Sequence, residues 1–331
     1  MKVVITGGAG YIGSVLVDTL LKGPKYNDDG ELQEGWFDDI YEDELEVVVI
    51  DNLLYKQNSL LPYFGDQRFR FVKADAYEWS KEVENHLKSA DVIIPLACIV
   101  GAPACDKLSE KEVTQINYGQ ILKITKLLKP HQKLIYPTTN SGYGIGQDGV
   151  HCTEETPLNP ISLYGKTKVF AEADVLGAKG VSLRLATVFG LSPRMRLDLL
   201  VNDFTYKALR DKYIVLFESH FKRNYIHIRD VAEAFIFVYN NYDKMKGQAY
   251  NVGLSSANLS KIELCGKIKN YIPNFHVVQS EIGKDPDQRN YIVSNQKLEK
   301  LGWKPKYSLD DGIQEIIKAY PMLENNQYTN L

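Results

Sequence analysis

The sequence predicts an α/β fold: a doubly wound parallel sheet with a smaller, discontinuous α+β lobe toward the C-terminus. Three observations lead there. Short apolar runs alternate with helical patterns through the first half of the chain, a glycine-rich turn joins the first run to the first helix, and after Gly190 polar loops, isolated helices and short strands take over. Apolar runs bounded by turns and separated by amphipathic helices mark parallel strands buried on both faces.

The first strand is Val3-Val4-Ile5, which breaks at Thr6-Gly7-Gly8-Ala9-Gly10-Tyr11-Ile12-Gly13 and enters a helix with Val15, Leu16, Leu20 and Leu21 on its apolar face. A glycine-rich turn can be plain structural punctuation. Between a strand and an amphipathic helix, however, it reads as a dinucleotide cradle. Glycines at 7, 10 and 13 let the backbone turn tightly, approach a pyrophosphate and pack helix on strand, while the first helical N–H groups face the phosphates. Gly7, Gly10, Tyr11, Ile12 and Gly13 are therefore expected at a cofactor, although the spacing is G-x-x-G-x-x-G rather than G-x-G-x-x-G.

The second strand, Val47 to Ile50, ends in Asp51 and Asn52. A carboxylate at this place usually follows the glycines by roughly 20 residues and binds the adenosine ribose. Here it comes later, because residues 23–46, rich in Asp and Glu and containing Trp36, Phe37 and Tyr41, read as an inserted acidic loop. A solvated insertion is the simpler reading, since loops tolerate length cheaply, and a flap contacting a partner is the sharper one. Asp51 would accept from the ribose hydroxyls and repel a 2′-phosphate, and no arginine follows it directly, so NAD is expected rather than NADP.

Further strands are expected at Phe69 to Val72, Val92 to Leu96, Leu134 to Tyr136 and Val181 to Leu185. Residues 1–190 plus 225–252 are read as the cofactor domain, and 191–224 plus 253–331 as the smaller lobe. The net charge of −3 across 331 residues, with acid concentrated in the insertion, speaks against a nucleic-acid-binding face or a membrane-surface helix. With no apolar run of about 18 residues and no signal-peptide pattern, a cytoplasmic location is expected. Cys98, Cys105, Cys152 and Cys265 lack C-x-x-C pairing, so neither a metal site nor a disulfide framework is expected.

The chemistry is expected around Tyr164 and Lys168, four residues apart on one face of a predicted helix. An ammonium beside a phenol stabilises the phenolate and brings it toward the range of a general base for an alcohol. Upstream, the strand through Leu134 and Tyr136 ends in Pro137-Thr138-Thr139-Asn140-Ser141-Gly142. Ligands of open parallel sheets bind outside the carboxyl ends of strands. Thr138, Thr139 and Ser141 are thus placed to hold a substrate hydroxyl, with a turn that satisfies its own backbone as the plain alternative.

Together these motifs resemble the extended short-chain dehydrogenase/reductase family of nucleotide-sugar epimerases, dehydratases and dehydrogenases, over nearly the whole chain. They comprise the glycine cradle, Asp51, Asp75-Ala76, Leu96-Ala97-Cys98, Asn117, Thr139, Tyr164 with Lys168, Arg184 to Gly190, Arg223 to His227 and Leu301 to Pro305. The resemblance implies a Rossmann sheet with NAD bound by the cradle, Asp51, Asn52, Asp75, Ala76, Leu96, Ala97, Cys98, Asn117, Tyr164 and Lys168. It also implies that Lys168 lowers the pKa of Tyr164, that Tyr164 takes a proton from a sugar hydroxyl, most often at C4, and that Thr139 binds the same oxygen. Arg223 and Arg289 match positions that grip a nucleotide diphosphate. Subunits of this family often pair, so a homodimer or higher homo-oligomer is expected.

Departures narrow the reaction. Asn140 and Ser141 stand where the family's 4,6-dehydratases carry an acidic pair, and Thr187 replaces a common Asn. Arg194 and Arg196 add two cations, read here as contacts to substrate phosphate or hydroxyls. The stretches Leu96 to Asp106, Thr138 to Gly144 and Leu185 to Arg196 are similar to NAD-dependent GDP-D-glycero-D-manno-heptose C4 dehydrogenases, from which the acidic insertion departs. The resemblance implies oxidation at C4 of a nucleotide-activated sugar, GDP-heptose or a related hexose, in glycan precursor synthesis. A nucleotide-sugar 4-epimerase is the alternative. A non-catalytic NAD-bound scaffold or regulator is a third reading, which would leave Tyr164, Lys168 and Thr139 without a physical purpose.

Overall fold

The computed structural model describes residues 1–22, 45–282 and 289–323. The expected insertion at 23–46 therefore lies outside the described residues apart from Leu45 and Glu46. In the first half, β1 (Lys2–Thr6), α1 (Tyr11–Lys22), β2 (Glu46–Asp51), β3 (Phe69–Lys73), α2 (Lys81–Ser89) and β4 (Val92–Pro95) alternate as anticipated. After β4 come α3 (Ala102–Cys105), α4 (Glu110–Thr114) and α5 (Gln120–Leu127), the last two joined by a π-helical turn at Gln115–Gly119. The run closes with β5 (Lys133–Thr139), β6 (His151–Cys152), α6 (Leu163–Gly177) and β7 (Val181–Leu185).

The second half holds β8 (Thr187–Phe189), α7 (Leu200–Arg210), β9 (Tyr213–Phe217), β10 (Lys222–His227), α8 (Ile228–Asn240), α9 (Tyr242–Met245) and β11 (Ala249–Val252). It ends with β12 (Asn258–Ser260), α10 (Lys261–Tyr271), β13 (His276–Ser280), β14 (Ile292–Val293), α11 (Gln296–Glu299) and α12 (Leu309–Leu323).

One seven-stranded parallel sheet, ordered β3-β2-β1-β4-β5-β7-β11, forms the centre. The alternation of strand side chains explains its three layers. Val3, Ile5, Val47 and Val49 face a cluster holding Leu16 and Leu20 of α1 and Val231 and Phe235 of α8. Val4, Val48 and Ile50 face Val83 and Leu87 of α2, Ile121 and Ile124 of α5, and Ala171 and Val175 of α6. Strand order reverses between β1 and β4, which opens a crevice at their carboxyl ends, where ligands bind in such sheets.

β11 is a seventh strand beyond the six anticipated, pairing with β7 from Ala249↔Ser182 to Val252↔Leu185. β10 changes partner along its length in a separate three-stranded sheet: Lys222 to Asn224 pair with β12, and Tyr225 to His227 pair with β8. After His227 the chain continues through α8, which packs on the main sheet. The remaining sheets are the parallel pairs β9/β13 and β6/β14.

Helix α6 is held from behind by a buried ion pair: Arg184 of β7 donates to Glu172 at 2.6 Å, and Ser182 donates to the same carboxylate at 2.8 Å. A buried guanidinium left without its carboxylate is costly. This pair therefore fixes the helix that carries Tyr164 and Lys168.

Candidate active site

The cradle is backbone fitted to backbone. Gly7 has φ +70°, and a Cβ there would lie 2.5 Å from the Ala97 nitrogen at the end of β4; Gly13 would meet Gly8 Cα at 2.5 Å. Those two glycines let strand, turn and helix close on one another. Gly10 differs, because its Cβ would meet only the Gly7 carbonyl oxygen, at 3.2 Å, and otherwise open space. Gly10 directly precedes the first turn of α1, whose leading N–H groups lack intrahelical acceptors. A pyrophosphate fits a gap of this kind, so the residues present suit a bound dinucleotide.

Asp51 is joined to the turn: its carboxylate accepts from Ala9 N–H at 3.0 Å, Leu53 N–H at 2.8 Å and the Gln57 amide at 3.2 Å. Burial pushes its pKa up, and the Leu53 and Ala9 amides and the Arg194 charge oppose that rise. Asn52 is exposed and donates to Asp75 at 3.1 Å, while Asp75 also caps Tyr77 N–H at 2.7 Å. Asn52, Asp75 and Ala76 thus form one rim beyond Asp51, with the Ala76 carbonyl accepting from Trp79.

At the end of β4, Leu96, Ala97 and Cys98 are half-buried beside Gly7. The Asn117 side chain, in the π-helical turn, accepts from Ile99 N–H at 2.8 Å, donates to Ile99 O at 3.0 Å and reaches Thr167 at 3.5 Å. It is 1% exposed. Its geometry makes it a clamp between the β4 loop and α6. π-turns are often found at functional sites because they shift one side chain out of helical register.

At the end of β5, Thr139 Oγ1 accepts from Ser141 N–H at 3.1 Å and lies 2.8 Å from the Ser141 hydroxyl. Arg289 donates to that same Ser141 hydroxyl. Asn140 is buried, with neither amide atom hydrogen-bonded. Tyr164 and Lys168 rise from the first turns of α6, which Ser162 caps by accepting from Gly165 N–H at 3.1 Å.

Here the expected electrostatics need correction. Burial drives the Tyr164 phenol above its ordinary range, the Cys98 thiol adds to this, and Arg196 and Arg289 pull it back. Lys168 is itself drawn from 10.5 to about 8 by burial, against the opposing pull of Cys98 and Glu172. Its Nζ rests 3.9 Å from the centre of the Tyr136 ring, a cation–π contact on the floor of the site. Tyr136 looked like an ordinary strand residue in sequence; only its pairing next to β7 brings it under Lys168.

The segment after β8 lies across the cradle. Tyr11 Oη donates to Gly190 O at 2.7 Å, Ser192 Oγ donates to Tyr11 O at 2.8 Å, and the Asn202 amide donates to Tyr11 Oη at 3.1 Å and to Arg196 O at 2.9 Å. Arg196 is paired with Asp198 at 2.5 Å and stands close enough to Tyr164 for each to shift the other. Arg194 lies over the Tyr55 ring at 4.8 Å. Thr187 is half-buried opposite Tyr225. Arg223 is 1% exposed, donates to Lys222 O at 2.9 Å and lies 5.7 Å from the Tyr291 ring. Tyr55, Tyr136 and Asn202 are the site residues that sequence reasoning missed. Local motifs carry no sign of them, since each acts through a partner far along the chain.

A dinucleotide cradle at the switch point of a doubly wound sheet, with a Tyr–Lys helix at the next strand end, defines a dinucleotide-dependent enzyme. The chain belongs to the NAD dependent epimerase/dehydratase family, whose model matches residues 37–253. Its cofactor is accordingly NAD, and its relatives act on nucleotide sugars. It is 27% identical to the low-salt glycan biosynthesis protein Agl12 of Haloferax volcanii, over 97% of this chain and 98% of that one. It is 28% identical to the uncharacterized UDP-glucose epimerase YtcB of Bacillus subtilis, over 96% and 97%. Among solved structures, the UDP-glucuronic acid 4-epimerase of Bacillus cereus superposes with a TM-score of 0.80 at 22% identity, covering 98% of this chain and all of that one, 100%. The dTDP-glucose 4,6-dehydratase of Bacillus anthracis gives 0.78 at 22% identity, over 99% and 98%. Among the described residues there is no helix long and apolar enough to cross a membrane and no cluster of metal-ligating side chains.

Proposed function

We propose that the protein oxidises C4 of a nucleotide-activated sugar, GDP-heptose or a related hexose, to a 4-keto sugar. The observation that carries this reading is the make-up of the β5 turn: the hydroxyls of Thr139 and Ser141 flank the Asn140 amide, where the family's 4,6-dehydratases have an acidic pair. Elimination needs an acid and a base at adjacent carbons, and an amide and a hydroxyl serve as neither at neutral pH. Removal of one proton and one hydride from a carbinol needs a single base. Gly10 and the first turn of α1 would hold NAD, which would supply the hydride acceptor.

Tyr164 takes the proton from the C4 hydroxyl, and Thr139 holds the same oxygen. Arg196 and Arg289 favour the phenolate by their positive charge, as their effect on Tyr164 indicates. Lys168 stays close on the Tyr136 ring. Arg289, in contact with Ser141, and Arg223 are suited to a diphosphate by their forked donors.

A second reading is 4-epimerisation, in which the same residues first form the 4-keto sugar and then return the hydride to its other face. The whole-length likeness to YtcB favours it. Denaturing the purified protein tests for released NAD; incubating the native protein with GDP- and UDP-sugars tests the reaction. Lasting NADH absorbance supports oxidation, and interconversion of C4 epimers without net NADH supports epimerisation. If every sugar leaves both readouts silent, both readings fail.

A further inference from the structure

Arg194 stands with the wrong neighbours for a sugar-binding residue. It is 6% exposed, and its guanidinium covers the Tyr55 ring at 4.8 Å. Tyr55 belongs to the loop that follows β2: its N–H donates to the Gln57 side chain at 3.1 Å, and the Gln57 amide donates to Asp51 at 3.2 Å. Asp51 in turn accepts from Ala9 inside the glycine turn. A short chain of contacts therefore runs from Arg194 to the cradle, and the charges of Arg194 and Asp51 act on each other. Arg196, two residues on, has its own bidentate carboxylate in Asp198, at 3.1 and 2.5 Å.

The segment holding Arg194 is fastened to the same turn. Ser192 Oγ donates to Tyr11 O at 2.8 Å and lies 3.0 Å from Ser14 Oγ, and the Arg194 N–H donates to Ser192 Oγ at 3.2 Å. Tyr11 and Ser14 are on the first turn of α1, the end whose N–H groups attract anions. Arg194 Nη1 donates to Met195 O at 2.8 Å, and the guanidinium's remaining donors and its charge, beside the Asp51 loop and the segment fastened to that helix end, add a cation to a site already built for phosphate.

We propose that Arg194 is a cofactor residue: it binds the diphosphate at the adenosine end of NAD, and the 190–198 segment is a strap over the dinucleotide rather than part of the sugar site. The strap then joins the second half of the chain to the cradle, so that cofactor binding and ordering of this segment reinforce each other. The proposal depends on NAD as cofactor and not on which sugar is oxidised or whether it is epimerised.

Isothermal titration of the full-length protein, wild type and Arg194→Met, with ADP-ribose and with adenosine separates the possibilities. Adenosine lacks the diphosphate. The expected result is about a tenfold or greater loss of ADP-ribose affinity, with adenosine affinity changed less than about twofold, as for one charge-assisted forked contact. Arg194→Lys, which keeps the charge and loses the fork, is expected to fall between and guards against a misfolded variant. Equal ADP-ribose affinity in all three proteins overturns the proposal. So does an equal loss for both ligands, which marks a structural role.

Discussion

In the cradle, the groups proposed to meet a cofactor are backbone atoms of Gly7 to Gly13, and the neighbours they need are the ends of the adjacent strands. On the wall proposed for the sugar, the groups are side chains from positions as far apart as Thr139, Tyr164 and Arg289, and their properties depend on one another. A site made of backbone is specified by where side chains are missing, so a short run of sequence describes it. A site made of distant side chains is specified by topology. The first is sensitive to added atoms, the second to altered charge.

The largest expected effect breaks the wall alone. Tyr164→Phe should lower turnover by about 10²–10⁴-fold, the range for loss of a positioned general base. NAD released on denaturation should stay at the wild-type amount; retained turnover would remove Tyr164 from the mechanism. Next, two glycines separate packing from binding within the cradle. Gly7→Ala places a Cβ 2.5 Å from a backbone nitrogen at φ +70° and should cost about 3 kcal/mol or more in urea unfolding. Gly10→Ala meets one oxygen at 3.2 Å and should stay within about 1 kcal/mol of wild type yet lose NAD. If both variants lose stability equally, the cradle is a packing unit and the contrast fails.

A third test uses pH. Lys168 titrates at about 8 in the folded protein and near 10.5 in the unfolded chain. Between those values the unfolded state binds more protons, so stability rises with pH across that window, while below about 8 both states are charged and the burial penalty is constant. Lys168→Met should flatten the rise and stabilise the protein at neutral pH by on the order of 3 kcal/mol. A wild-type profile that matches the variant's from pH 8 to 10.5 contradicts the burial of this charge. The smallest effect is expected at the rim: Asn52 is exposed, so Asn52→Ala should change melting by an amount equivalent to about 0.5 kcal/mol or less.

The same contrast explains what the sequence discloses. Six central strands, the glycine turn, Asp51 and the Tyr164–Lys168 spacing are written in local patterns, and the sheet order places them together. β11 escaped notice because Ala249 to Val252 is only four residues long and carries a buried Asn251 that bonds Tyr143 at 2.7 Å. The lowered phenol pKa expected for Tyr164 follows from spacing to Lys168, whereas its real environment is set by burial and by Cys98, Arg196 and Arg289, none of them neighbours in sequence. The aromatic contact of Arg194 is not legible locally, because Tyr55 lies 139 positions away.

The order in which the chain visits its sheets has a consequence for how the protein is made. After β7 it leaves for β8 and β10 in the small sheet, returns through α8 to place β11 on the edge of the main sheet, and then leaves again for β12. During synthesis the glycine turn emerges well before β11, and the sheet under it stays without its last strand until Val252 has left the ribosome. Long-range parallel pairing forms slowly. A partly built sheet of this kind exposes the unpaired edge of β7 and the apolar faces awaiting α8, the surfaces on which nascent chains aggregate or recruit chaperones.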